Sequence, residues 1–158
     1  METTRTYDTA LIYNVITNEA IWKTISEDGH NPSVWSPDVF RDCWLEMSID
    51  GETVGVFLLK ALNSMMLEVH PHILPKFRGE IGMQAGIEHL RWVYDNFPNY
   101  RKIVCSVPTL YKNVKIYAMQ LGYQEEGVNR LSFLKGGKIY DQWTLGITRD
   151  EIGDKYNL

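Results

Sequence analysis

The chain is poor in the features that would staple it, anchor it or mark it at a glance. Its two cysteines, Cys43 and Cys105, lie far apart in strand-like runs, the pattern of buried free thiols, and a reducing compartment fits them better than a disulfide. No apolar run approaches the roughly 18 residues of a membrane span, and no basic N-terminus precedes a short apolar core. Neither insertion nor export is therefore expected, and the cytoplasm is the expected location. There is no dense Lys/Arg block, and the formal charge is −4, which argues against a dedicated nucleic-acid surface. Internal repeats and low-complexity segments are missing. So are G-x-S-x-G, Walker, H-E-x-x-H and paired C-x-x-C patterns, which sets several common enzyme classes aside.

What is present is the composition of a globular protein, 44% apolar and 23% charged over 158 residues. A single domain, 1–158, is expected, since a chain of this size buries about 68–70% of its unfolded surface without staples.

The sequence is organised around residues 74–96. Met65, Leu67, Val69 and Ile73 make an apolar strand-like run that Pro71 and Pro75 interrupt. The missing ladder donors predict that the strand bends or ends there. Ile81, Ala85, Ile87, Leu90, Tyr94 and Phe97 then recur at helical spacing until Pro98. Between the two lies Arg78-Gly79-Glu80-Ile81-Gly82. Glycines there let the backbone approach a ligand, and a helix start offers unpaired N–H groups beside a positive dipole end, the physical recipe for holding phosphate. The alternative is an ordinary helix start whose glycines serve turn geometry alone.

The β-branched and aromatic run at 6–16 predicts a first strand. Thr17 or Asn18 caps a helix through Ile25, with Ala20, Ile21, Thr24 and Ile25 on its inner side, and a surface loop follows at 28–37. Trp22 and Trp35 are expected to pack, or one of them to line a mouth. Strands at 43–49 and 53–62 flank Asp50-Gly51, a strong hairpin signal, and 65–69 continues the meander. Residues 102–107 read as a buried strand and 112–121 as a helix with Val114, Tyr117, Ala118 and Leu121 on one side. Two last strands turn at Gly136-Gly137, with a bulge at Glu126-Gly127. Residues 150–158 read as a short turn or frayed tail. The layout is α+β (mixed α/β), with helices flanking a mostly antiparallel sheet and one parallel crossover over the long helix.

Glu68, His70 and His72 alternate, so a continuing strand projects all three from one sheet face. A general base on that face is one use. A metal is the other, and two nearby histidines far more often decorate a surface, so no metal is expected.

Leu74-Pro75-Lys76-Phe77-Arg78-Gly79-Glu80-Ile81-Gly82 resembles the strand end and Arg/Gln-x-x-Gly-x-Gly/Ala turn of the GCN5-related N-acetyltransferase (GNAT) superfamily, one residue short of the familiar run. Asn113-Val-Lys-Ile-Tyr117-Ala-Met-Gln-Leu121-Gly122-Tyr123 is similar to the late helix of that family. The two motifs and the strand order span residues 50–147. The resemblance implies a GNAT-like acyl-CoA N-acyltransferase fold and acetyl transfer from acetyl-coenzyme A (acetyl-CoA), as co-substrate, to an amine of a small molecule or protein. It implies cofactor contacts at His72, Ile73, Leu74, Arg78, Gly79, Glu80, Ile81, Gly82, Met83 and Asn113. For Asn113 a plain helix N-cap is the alternative. It further implies Tyr117 as the acid that protonates the departing thiolate, with packing on the apolar helix face as its alternative, and Glu68 or His70 as the base. A compact chain with a loosened glycine turn also resembles reduced, phage-encoded members, placing it in host cytoplasm. The rival expectation is an inactive GNAT-like binding or assembly protein, a phage accessory or virion-associated factor. A homodimer sealed by exposed aromatics such as Trp143 is allowed, and no nucleic-acid or membrane partner is expected.

Overall fold

The computed structural model describes residues 1–158. Seven strands form one sheet: β1 (Glu2–Arg5), β2 (Cys43–Ile49), β3 (Glu52–Ala61), β4 (Met66–Ile73), β5 (Lys102–Pro108), β6 (Gln124–Lys135) and β7 (Lys138–Thr148), in the order β1-β2-β3-β4-β5-β7-β6. Only β4 and β5 run parallel. They are linked by the long helix α3 (Glu80–Asn96), which follows α1 (Thr9–Ile16) and α2 (Glu19–Ile25) and precedes α4 (Lys112–Gln120) and α5 (Arg149–Tyr156).

Asp50-Gly51 turns β2 into β3, and Gly136-Gly137 turns β6 into β7, as their turn chemistry requires: Asp50 (φ 52°) and all three glycines adopt positive φ. The expected bulge is present as a register shift between Glu125 and Gly127.

Two expected elements are different in kind. Residues 6–16 do not make a strand: β1 lies before them, and Asp8 caps α1 by accepting the N–H of Leu11 at 2.9 Å. The apolar run fits both periods, and the cap together with burial of Ile12, Val15 and Ile16 at helical spacing decides for the helix. Residues 150–158 are not a frayed tail. Thr148 and Glu151 form a reciprocal capping box and Ile152 is buried, so α5 is docked.

The sheet buries both faces. On one, Leu45, Phe57, Leu59, Val69, Ile103 and Leu145 pack with Ala85, Leu90 and Val93 of α3, Ala118 of α4 and Ile152 of α5. On the other, Trp44 and Val56 meet Ile12, Val15 and Ile16 of α1 and Ile21 of α2. Trp35 sits against Trp22 and Trp44 at 6.3 Å between ring centroids, so packing is what these tryptophans do. No helix is long and apolar enough to cross a membrane.

Candidate active site

The site begins with a gap in the sheet. β4 pairs with β5 only through Met66–Glu68, after which the two strands part. β4 nonetheless continues to Ile73 through Pro71, where a bend or end was expected. The reason lies in which way the backbone faces. Leu74 N–H bonds to Val54 O at 3.0 Å, so by strand alternation His72 and His70 also point their N–H groups at β3. Pro71 points the other way, into the gap, where no ladder partner exists and its missing donor is not needed.

Glu68, His70 and His72 share the sheet face that α1 and α2 cover, since their register partners on β3 are Lys60, Leu58 and Val56. His70 Nε2 lies 3.2 Å from Glu68 Oε2. That hydrogen bond holds the Glu68 carboxyl below the usual glutamate range, against the opposing effect of burial. His72 is 7% exposed, its Nδ1 has no hydrogen-bond partner, and burial depresses its imidazole to about 3.

On the other face, the turn into α3 supplies main chain. Gly79 is the N-cap residue, at φ 92° and ψ −133°, a conformation that excludes most side chains. Met83 N–H bonds to Gly79 O at 2.9 Å, while the N–H groups of Gly79, Glu80, Ile81 and Gly82 find no acceptor within the chain. They are the orphan donors of a helix start, at the positive end of a 17-residue helix. Deeper in, a side chain on Gly82 would meet Phe77 O at 3.2 Å, and one on Gly86 would meet Tyr117 Oη at 2.4 Å. Tyr117 on α4 reaches across to donate its hydroxyl to Gly82 O at 2.9 Å, and burial pushes its phenol up. His89, also depressed by burial, to about 4, lies 3.4 Å from the Tyr123 hydroxyl.

The gap joins these two faces into one cavity of about 590 Å³. Nine of the residues singled out from the sequence line it: Glu68, His70, His72, Ile73, Arg78, Gly79, Gly82, Asn113 and Tyr117. Four do not. Leu74 packs against the α1/α2 cluster and Ile81 and Met83 pack against the main core, so these three offer a ligand their main chain, while Glu80 is exposed on the first turn, outside the lining. Asn113 is not the N-cap of α4, which is Tyr111; its side chain is exposed in the first turn and free to face the cavity.

Sequence reasoning missed the opposite wall: Ile21, Thr24 and Ile25 of α2, Phe133 of β6 and Gln142 of β7. The inner face of α2 was legible, but only the fold shows that it stands over the β4/β5 gap. Cys105, inside the cavity wall, is held as a thiol, pushed up to about 12 by burial and by Glu68. Both cysteines are free.

A family model described as "Protein of unknown function (DUF2824)" matches residues 7–155. Among curated proteins no sequence matches. Solved structures do. The spermidine N-acetyltransferase of Vibrio cholerae, in complex with CoA and spermine, superposes with a TM-score of 0.79 at 15% identity, covering 96% of each chain. A chimera of that enzyme with hSSAT gives 0.78 at 14% identity, over 96% of this chain and 99% of the other. A Streptococcus mutans UA159 protein gives 0.71 at 14%, over 94% and 99%. The fold is thus that of the GNAT acyltransferases.

Proposed function

The chain belongs to the DUF2824 family, and from that premise and the geometry above we propose that it transfers an acetyl group from acetyl-CoA to an amine. One observation carries the reading: the unpaired amides at the start of α3, the Tyr117 hydroxyl and the Glu68–His70 pair open onto a single cavity through the β4/β5 gap. The neighbours named as spermidine N-acetyltransferases, one of them holding CoA, support both the co-substrate and an amine acceptor.

In this reading the amides of Gly79 to Gly82 hold the diphosphate, with Arg78 beside them. The β4 edge that faces the gap, at Val69, Pro71 and Ile73, offers carbonyls to an extended pantetheine arm. The Glu68–His70 pair takes one proton from the acceptor ammonium. The amine lone pair forms the C–N bond, and the C–S bond breaks with its electrons on sulfur. The second proton lost by nitrogen ends on the thiolate, with Tyr117 as the relay, so the products are an acetamide, a free thiol and one proton released through the base. Burial suits Tyr117 to this task because its phenol keeps its proton until a stronger base is formed beside it. The reading places the enzyme in the cytoplasm.

The hydrogen bond from Tyr117 to Gly82 O favours a second reading, in which the phenol is a strut and the chain is a GNAT-shaped binding or assembly protein. Calorimetric titration with acetyl-CoA separates the two. Saturable binding that is lost in Gly82→Trp, with thiol release on adding an amine, supports transfer. No binding, together with a stable partner complex by light scattering, supports assembly.

A further inference from the structure

The acceptor half of the cavity restricts what the amine can be. Among the residues that line the cavity, Glu68 is the one carboxylate. Its Oε2 is engaged by His70, and its other oxygen takes part in no hydrogen bond or ion pair within the chain. The walls beside it carry Ile21 and Ile25 of α2, Pro71 of β4 and Phe133 of β6, with the uncharged Thr24 and Gln142 among them.

The acids that follow α2, Glu27 and Asp28, do not line the cavity and are bound to main chain elsewhere. Glu27 accepts the N–H of Leu134 at 2.8 Å, and the two oxygens of Asp28 accept those of Gly136 and Gly137 at 2.9 and 2.7 Å. Lys135 donates to Ser26 O at 2.6 Å in the same seam. These bonds stitch the end of α2 to the β6–β7 turn. His72, deep in the cavity wall, adds a neutral polar group with an unpartnered nitrogen and no countercharge.

A cavity of this kind has one place for one cation. A second or third ammonium would find no other carboxylate on the lining to neutralise it, against isoleucine, proline and phenylalanine. Resting on the acetyl-transfer reading, we propose that the acceptor is a primary monoamine with an apolar body, seated by Glu68 at its amine and by the α2 and Phe133 walls along its body, and that polyamines are rejected. This departs from the neighbours whose names specify spermidine.

The test uses the full chain, saturating acetyl-CoA and thiol release as the readout, with phenethylamine and hexylamine set against putrescine and spermidine. The apolar monoamines are expected to show kcat/KM at least about tenfold above spermidine, the discrimination given by ~1.4 kcal/mol. Acetyl-CoA binding with spermidine preferred, or with no amine accepted, overturns the assignment while leaving co-substrate binding intact. Absence of an acetyl-CoA-induced thermal shift removes the transfer reading itself, and the assignment with it. Ile25→Glu, at a position already 37% exposed and therefore tolerant of charge, adds a second carboxylate on the α2 wall. It should raise kcat/KM for putrescine about tenfold, the yield of one added charge-assisted contact; an unchanged amine preference overturns the proposed seat.

Discussion

The two sides of the cavity are made of different material. On the α3 side the contacts come from main chain, exposed by Gly79 and Gly82, with Tyr117 closing over Gly82 and Gly86. On the α2 side they come from side chains, Glu68, His70 and His72 against isoleucine and phenylalanine. A main-chain site asks only for glycine where φ is positive or where space is absent, since every other residue supplies the same N–H. This accounts for how a turn one residue shorter than the familiar run still produces a helix mouth with four unpaired amides: Gly79 takes the positive φ and Gly82 takes the close approach. The side-chain wall has no such tolerance, and the proposed selectivity for the acceptor rests on it.

If the division is real, the two sides can be broken separately, and the largest effect should come from the α2 side. Glu68→Gln keeps shape and removes the charge, so turnover should fall ~10²–10⁴-fold, the usual contribution of a positioned base. Acetyl-CoA affinity, measured by calorimetry, should stay within about twofold because the orphan amides are untouched. Parallel losses in both quantities would show that the sides are one unit.

The next largest effect is a pH dependence to which each side contributes one group. His72 on the α2 side and His89 on the α3 side are held neutral by burial, at about 3 and about 4, against an ordinary 6.5. The unfolded chain therefore takes up protons first as pH falls. Stability is complete above about 6.5 and is lost as pH drops towards the folded-state values, at up to about 1.4 kcal/mol per pH unit for each imidazole. Urea unfolding between pH 7 and pH 4.5 should show this slope, and His72→Gln and His89→Gln should each remove about half of it. Loss of the whole slope in one variant would assign it to one side alone.

The same division governs what the sequence makes legible. α3, β5 and the two hairpins were readable because proline, Asp-Gly and Gly-Gly act locally and each turn specifies its own geometry. α1 was misread because residues 9–16 are apolar at positions that satisfy either period, and the deciding cap, Asp8, is a single side chain. α5 carried a legible Thr148-x-x-Glu151 box inside a polar stretch, where a single buried residue, Ile152, does the docking. Alternation and motif single out Glu68, His70, His72 and Tyr117, and the fold brings all four to one cavity. The α2 wall was not legible, because nothing local ties Ile25 to Phe133; the seam from Glu27 and Asp28 to 134–137 spans more than a hundred residues.

A third prediction sharpens the α3 side. Gly86→Val places atoms where Tyr117 Oη and the Leu121 methyl groups already stand, at 2.4 Å and 2.6 to 2.9 Å from an added Cβ. Overpacking of this kind should cost about 1–3 kcal/mol in urea unfolding. It should also weaken acetyl-CoA binding, because the α4 helix must retreat from α3.

The smallest effect tests whether Tyr117 is the element that closes that side. Tyr117→Phe removes one hydrogen bond to Gly82 O, and its stability cost should be about 0.5–1.5 kcal/mol. The informative quantity is its coupling with Gly86→Val. The hydroxyl is the first atom the new side chain meets, so deleting it opens room, and the double variant should be less unstable than the sum of the singles by about 0.5 kcal/mol or more. Strict additivity would mean that Leu121, not the phenol, bears the contact. Tyr117 would then be free to leave Gly82 and reach the gap without disturbing the packing of α3 on α4, which is what a proton relay to the thiolate needs.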